Sequence, residues 1–300
     1  MDLPASVTAL GEQLGDTGQI APDPALFHEA SVFAAERERI FARPWTAVDH
    51  ATRLAEDGRY FRFDADSRSV IVTRDREGRL HGLRNVCIHA GYPVCDAEDG
   101  FAERLMCPYH GWEYALDGRL VEPAFASRVD RSRLRLTSYQ VCVRNGLILA
   151  DTSGGQASDD NIAGPLPIWL AEGNVPKRAR YSTTWNWKFL RHFLLSRPAL
   201  FFDEPCEGDD ERRIEFGPLS WMLVRARQAA LVRVIPRFAE RTDFQLIRIV
   251  APQEWEISAS AAGTDPVADA LGTGEANAVD WSSWLDRSFF AWYWPLMSAT

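Results

Sequence analysis

Apolar positions along the chain follow two different periods. Over residues 30–41 they recur at helical intervals, with Ser31 placed as a cap and Pro44 just beyond the end. Short runs rich in β-branched and aromatic residues then take over. Residues 60–64, 69–74 and 80–84 read as strands, Asp75-Arg76-Glu77-Gly78 turns the chain between the last two, and residues 141–150 read as one further strand closing the region. Residues 151–164 are small and polar, and Pro165 and Pro167 stiffen their exit, which is linker composition. Beyond them residues 221–224, 230–235 and 244–250 are strand-like. A last helix is expected at 280–297, where the helical spacing of Trp281, Trp284, Trp292 and Trp294 favours core packing over partner contact. The pattern predicts an α+β chain with a boundary near residue 155: a helical lead-in over 1–44, an all-β domain over 45–155 and a second domain over 156–300.

Composition narrows the class. The chain has 300 residues, 46% of them apolar, enough for two enzyme-sized cores. A formal net charge of −9 argues against nucleic acid and anionic membrane surfaces, both of which would repel it. No run approaches the roughly 18 apolar residues of a membrane span, and the start, Met1-Asp2-Leu3-Pro4, lacks a basic region followed by an apolar one. A cytoplasmic location is the expectation.

Candidate chemistry sits in two short segments, Cys87-Ile88-His89 and Cys107-Pro108-Tyr109-His110. Side chains two apart on extended backbone point the same way, and Cys-Pro-Tyr-His reads as a turn, so each segment can offer one sulfur and one nitrogen. Two thiolates and two imidazoles fit a Rieske-type [2Fe–2S] centre, in which cysteines hold one iron and histidines the other. Zinc could take the same four ligands, but zinc modules usually pair Cys with Cys and His with His locally. The expected ligands, for metal and cofactor alike, are Cys87, His89, Cys107 and His110. Cys95, Cys142 and Cys206 are left over, and in a cytosolic chain they read as free thiols, Cys95 as a small half-buried residue.

The text Arg84-Asn85-Val86-Cys87-Ile88-His89-Ala90-Gly91 and Cys107-Pro108-Tyr109-His110-Gly111-Trp112 resembles the Rieske domain of ring-hydroxylating oxygenase large (alpha) subunits. The likeness runs upstream through Phe33, Glu36, Arg37, Ile40, Phe41 and Trp45, and downstream through Leu116-Asp117-Gly118-Arg119-Leu120, covering most of residues 25–150. Ala90 departs from it, since that family usually has arginine after the first histidine, and residues 92–95 match it only loosely. Tyr109 between Cys107 and His110 points to the oxygenase type of cluster, not the respiratory type with its extra cysteines. Trp185-Asn186-Trp187-Lys188 and the apolar residues 189–195 again resemble the family, where an Asn-Trp-Lys motif opens a long helix of a helix-grip (START-like) antiparallel sheet domain.

A count of histidines qualifies the resemblance. A mononuclear non-haem iron site needs two histidines and a carboxylate. The chain has six histidines; His89 and His110 are expected in the cluster, His28, His50 and His81 lie in the first half, and only His192 falls in the second domain. In the register of Asn186-Trp187-Lys188 the family's two histidine ligands fall on Ala199 and Glu204, and its acidic bridging residue on Ser196. His192 reads as a structural histidine on an apolar helix. Asp203, Glu204, Glu207, Asp209, Asp210 and Glu211 could in principle hold a hard cation but lack a loop pattern for one, and read as a solvated acidic surface.

The resemblance therefore implies a Rieske-cluster subunit with a degenerate catalytic domain and no catalytic residues or mononuclear iron of its own. In that family three large subunits assemble head to tail, and the cluster of one donates to the iron of its neighbour. Implied partners are a ferredoxin or NAD(P)H-dependent reductase and a homologous catalytic oxygenase subunit in a hetero-oligomeric ring. Two other functions fit the sequence: a self-sufficient monooxygenase with an unusual iron site of His192 and Asp203 or Glu204, and a non-catalytic regulatory or scaffolding subunit.

Overall fold

The computed structural model describes residues 2–16, 20–42, 45–124, 130–154, 165–172, 176–202, 211–251, 265–272 and 285–299. The fold is α+β, in two compact units: Pro44–Val175, and Met1–Arg43 joined with Pro176–Thr300. The expected boundary near residue 155 lies outside the described residues.

The first unit is antiparallel throughout. Strands β1 (Thr46–His50), β2 (Arg59–Ala65), β3 (Arg68–Arg74), β4 (Leu80–Arg84), β5 (Asp99–Phe101), β9 (Ser138–Arg144) and β10 (Leu147–Asp151) form a sheet ordered β1-β10-β9-β4-β3-β2-β5. A small sheet of β6 (Leu105–Met106), β7 (Glu113–Tyr114) and β8 (Leu120–Glu122) carries the second cysteine loop. Strand β3 is buried on both faces: Val70 and Val72 join a core with Phe61, Phe63 and Ile148, while Ile71 joins Leu83, Leu105, Leu136 and Tyr114 beneath the cysteines. Successive side chains on a strand point to opposite faces, so this one strand serves both cores.

The expected single strand at 141–150 is instead a hairpin. Asn145 (φ 43°) and Gly146 (φ 79°) form its two-residue turn, the Asn-Gly signal whose left-handed pair matches strand twist. At the other expected turn, the Asp75 carboxylate accepts the backbone N–H of Glu77 and Arg79 at 3.0 and 2.8 Å, and Gly78 supplies the positive φ.

In the second unit, strands β11 (Lys177–Thr183), β12 (Arg212–Glu215), β13 (Ser220–Arg225), β14 (Gln228–Phe238) and β15 (Arg241–Val250) make an antiparallel sheet ordered β11-β15-β14-β13-β12. Helices α1 (Ala5–Gly15), α2 (Ala25–His28), α3 (Ala30–Glu36), α4 (Trp187–Ser196), α5 (Pro266–Gly272) and α6 (Arg287–Ser298) complete it. Helix α3 runs on through a π turn, Arg37–Phe41. Ser31 is not its cap; α3 begins after Glu29, whose carboxylate accepts the Ser31 hydroxyl at 3.0 Å. One continuous core collects Trp221, Leu223, Val232, Val234, Phe244 and Leu246 from one face of the sheet, Leu190 and Phe193 from α4, and Phe290 and Tyr293 from α6. Trp281 and Trp284 lie outside the described residues, whereas Trp292 and Trp294 pack against this core as the spacing predicts.

The Asn-Trp-Lys motif has a structural job here. Asn186 caps α4 by accepting Lys188 N–H at 3.0 Å, and its amide donates to Phe27 O at 2.9 Å and Ala239 O at 2.7 Å. Trp187 Nε1–H and Lys188 Nζ both donate to the fully buried Glu36 carboxylate, at 2.7 and 2.5 Å, and the Tyr293 hydroxyl donates to it at 2.7 Å. One carboxylate thus joins α3, α4 and α6 through three donors, the condition under which a buried charge is tolerated.

A candidate iron–sulfur centre

The two cysteine loops are built alike. Cys87 N–H donates to Tyr92 O at 2.8 Å, and Gly91 N–H returns to Cys87 O at 2.9 Å. Cys107 N–H donates to Trp112 O, and Gly111 N–H to Cys107 O, each at 2.9 Å. In both loops the glycine four residues after the cysteine has positive φ, 73° at Gly91 and 67° at Gly111, a conformation glycine adopts without steric penalty. The Cys-x-x-x-Gly spacing is shared even though the histidine falls at different offsets, and that spacing is the signal from which the common turn could have been read.

These turns bring the expected ligands together in two pairs, Cys87 beside Cys107 and His89 beside His110. Cys87 and Cys107 are 3% and 1% exposed, while His89 is exposed and His110 half-buried. Burial pushes the Cys107 thiol up, and the neighbouring Cys87 side chain adds to the rise. Metal binding at this position therefore goes with loss of a thiol proton that burial favours. The two imidazoles meet edge to face with centroids 4.7 Å apart. The two cysteines are thus buried, and the two imidazoles lie nearer solvent.

That pairing fits the group the ligands imply. A Rieske cluster takes two sulfurs on one iron and two nitrogens on the other. Among the described residues no three His, Cys, Asp or Glu side chains gather as a single ion needs.

Several supporting residues are invisible to ligand-spotting. Tyr114, buried on β7, places its hydroxyl 3.1 Å from Cys87 Sγ and accepts Ile88 N–H at 3.3 Å; burial and the neighbouring sulfur push its phenol far up. Asn85 pins the first loop by accepting Val94 and Cys95 N–H at 2.9 and 2.8 Å and donating to Cys95 O at 2.7 Å. Trp112, 7% exposed, lies flat against His89, and Tyr109 packs over His110 with centroids 3.9 Å apart. Cys95 is half-buried with its thiol pushed up by burial. Residues 86–95 and 105–112 contain no charged side chain. Ile88, Tyr92, Met106 and Tyr109 stand exposed in or beside these loops, with Tyr92 against Tyr109 and Tyr109 against His110.

In the second unit His192 is half-buried on α4, its ring 6.5 Å from that of Phe289. Burial lowers its pKa, Asp286 pulls the other way, and Arg191 and Arg197 lower it further. Ser196 closes α4 with its hydroxyl donating to Phe193 O at 3.0 Å, and Ala199 is exposed in the following 3-10 turn. Asp203, Glu204, Glu207, Asp209 and Asp210 lie outside the described residues, and Glu211 pairs with Arg225 at 2.6 Å. No helix among the described residues is long and apolar enough to cross a membrane.

Residues 44–140 match the Rieske [2Fe-2S] domain family. Benzene 1,2-dioxygenase subunit alpha of Pseudomonas putida is 26% identical over 180 residues, covering 56% of this chain and 40% of that one. N,N-dimethyl phenylurea N-demethylase subunit alpha of Sphingobium sp. is 35% identical over 178 residues, covering 54% and 39%. The glycine betaine monooxygenase oxygenase subunit of Chromohalobacter salexigens is 34% identical over 117 residues, covering 39% and 26%. The chain thus spans 40% or less of the length of these three curated relatives. Among solved structures, the apo quaternary ammonium Rieske monooxygenase CntA superposes with TM-score 0.69 at 16% identity, covering 91% of this chain and 92% of that one. Naphthalene 1,2-dioxygenase from Rhodococcus sp. gives 0.68 at 16%, covering 97% of each. At such identities these superpositions show a shared fold.

Proposed function

Because the chain carries a Rieske [2Fe-2S] domain over residues 44–140 and is homologous to ring-hydroxylating dioxygenase alpha subunits, we propose that it is the Rieske-cluster subunit of a multicomponent non-haem iron oxygenase. In this reading it relays electrons from a ferredoxin or NAD(P)H-dependent reductase to the mononuclear iron of a partner alpha-type subunit, which hydroxylates or demethylates an organic, aromatic or cyclic substrate. Cys87, His89, Cys107 and His110 would hold the cluster. The bound group supplies one-electron transfer. The chain's own residues keep the sulfurs dry, leave the two imidazoles nearer solvent and place them in loops without charged side chains.

The observation that carries the division of labour is what stands at the family's iron positions: Ala199 and Glu204 in place of two histidines and Ser196 in place of the acidic bridge, with His192 the one histidine in residues 111–300. Iron held by two histidines and a carboxylate has no second histidine to use there. Hence no mononuclear iron is expected in this chain, and turnover would require a subunit that retains both histidines, in a mixed, trimer-based ring that brings cluster and iron close across an interface. The test is reconstitution. Alone, the protein should accept electrons from a reductase without forming product. Mixing with the catalytic subunit should restore turnover, and His89→Ala or His110→Cys in this chain should abolish it. Sustained substrate-coupled oxygen consumption by this chain with only a reductase would refute the proposal.

A further inference from the structure

The backbone of the first loop fixes Cys87 tightly, through the bonds to Tyr92 and Gly91 and the Tyr114 hydroxyl on its sulfur. His89 is placed differently. It stands exposed at the loop tip, between Ile88 and Ala90, both also exposed. Its ring lies parallel to the Trp112 indole, 8° between planes and 4.7 Å between centroids, and that indole is 7% exposed. Trp112 reaches His89 from the opposite loop, two residues after His110 and two before Tyr114, whose hydroxyl bonds the sulfur of Cys87. Residues at that spacing on extended backbone share a side, so one short segment leaving the second loop touches both ligands of the first.

We propose that Trp112 is a positioning residue for the cluster: its indole fixes the plane in which the His89 imidazole meets iron. The inference rests on His89 being a ligand. An imidazole binds through a lone pair in its ring plane, so rotation about the bond joining ring to Cβ swings the donor nitrogen off the metal axis. That terminal torsion is broad and weakly restrained by itself. A flat aromatic wall held in the core removes the freedom, as outer groups orient ligands at other metal sites. His110 is backed otherwise, by Tyr109 inclined at 44°. The Trp112 effect should therefore fall on one histidine.

The test compares Trp112→Phe, which keeps a flat ring, with Trp112→Leu, which keeps apolar bulk without one, each loaded with the cluster and reduced. Pulsed electron paramagnetic resonance reads the nitrogen couplings of the two histidine ligands separately. Trp112→Leu should shift or broaden one coupling and leave the other at its parent value, and should speed iron loss to a chelator about tenfold, the equivalent of one aromatic contact. Trp112→Phe should restore both readings. Circular dichroism checks the fold, and if the leucine variant does not fold, Trp112→Met is measured in its place. Unchanged couplings without the ring, equal changes in both histidines, or no rescue by phenylalanine would each overturn the proposal. Absence of any histidine-coupled nitrogen signal from the parent protein would instead overturn the ligand assignment.

Discussion

Replacing Lys188 by methionine strands a carboxylate in the core of the second unit. Lys188 and Glu36 are both fully buried with their charges 2.5 Å apart. Breaking a buried pair by removing one partner typically costs about 3–5 kcal/mol, because the remaining charge keeps its desolvation penalty. Glu36 would still accept Trp187 Nε1–H and the Tyr293 hydroxyl, each at 2.7 Å, which places Lys188→Met near the lower end, about 3 kcal/mol. For a unit of this size that is a fall in Tm of roughly 6–12 °C. Glu36→Gln leaves the opposite charge, but Lys188 Nζ lies 5.3–5.5 Å from the rings of Phe27, Trp187 and Tyr293, and burial already lowers its pKa, so it can shed its proton. That variant should lose less. Glu36→Leu combined with Lys188→Met should cost less than the two single changes added together, since neither charge remains. With two units a single transition cannot be assumed. Visible circular dichroism of the cluster reports the first unit, and tryptophan fluorescence reports both, with Trp185, Trp187 and Trp221 buried in the second. The fluorescence transition should move and the circular dichroism transition should not. A Lys188→Met protein melting within about 2 °C of its parent would refute the reasoning.

Cys87→Ser and Cys107→Ser should each abolish cluster incorporation, checked by iron content, while the parent protein holds about two irons per chain with the reduced spectrum of mixed Cys and His ligation; zinc alone in the parent would refute that. His192→Ala should leave iron content unchanged, and loss of iron would revive a site on α4. Burial alone would raise the Asp75 carboxyl, but hydrogen bonds from His81 and Arg79 hold it at about 2. The unfolded chain then takes up that proton first, so this contribution to stability is complete above about pH 4 and lost as pH falls toward 2; urea unfolding of Asp75→Asn should show a flatter acid limb. Gly146→Ala should destabilise the first unit by more than 1 kcal/mol in the same assay, because φ is 79° and a Cβ would collide with the Leu170 carbonyl.

What the sequence made legible follows the reach of each signal along the chain. Strands β2, β3, β4, β13, β14 and β15 are marked by their own residues, and the structure has a strand at each of those runs. The hairpin of β9 and β10 is equally local: a single strand over 141–150 overlooks Asn145-Gly146, and that pair turns the chain because few other residues take the left-handed conformation cheaply. The expected ligands were legible as candidates because a metal centre demands rare residue types at short spacing. What holds them was not. Trp112 reaches back to His89 and Tyr114 to Cys87 across the strand-and-loop segment between the two loops, and nothing in a run of residues states which ring lies under which. The same holds for Glu36 and Lys188, 152 residues apart. Each stands out in the sequence only by resemblance, and physically each is explained by the other: a carboxylate at the end of α3 can be buried only because α4 begins with a cap, an indole N–H and an ammonium that all turn inward. The Asn-Trp-Lys motif therefore reports the packing of the second unit whether or not iron is bound beside it, which is why its presence here sits without contradiction next to Ser196 and Ala199.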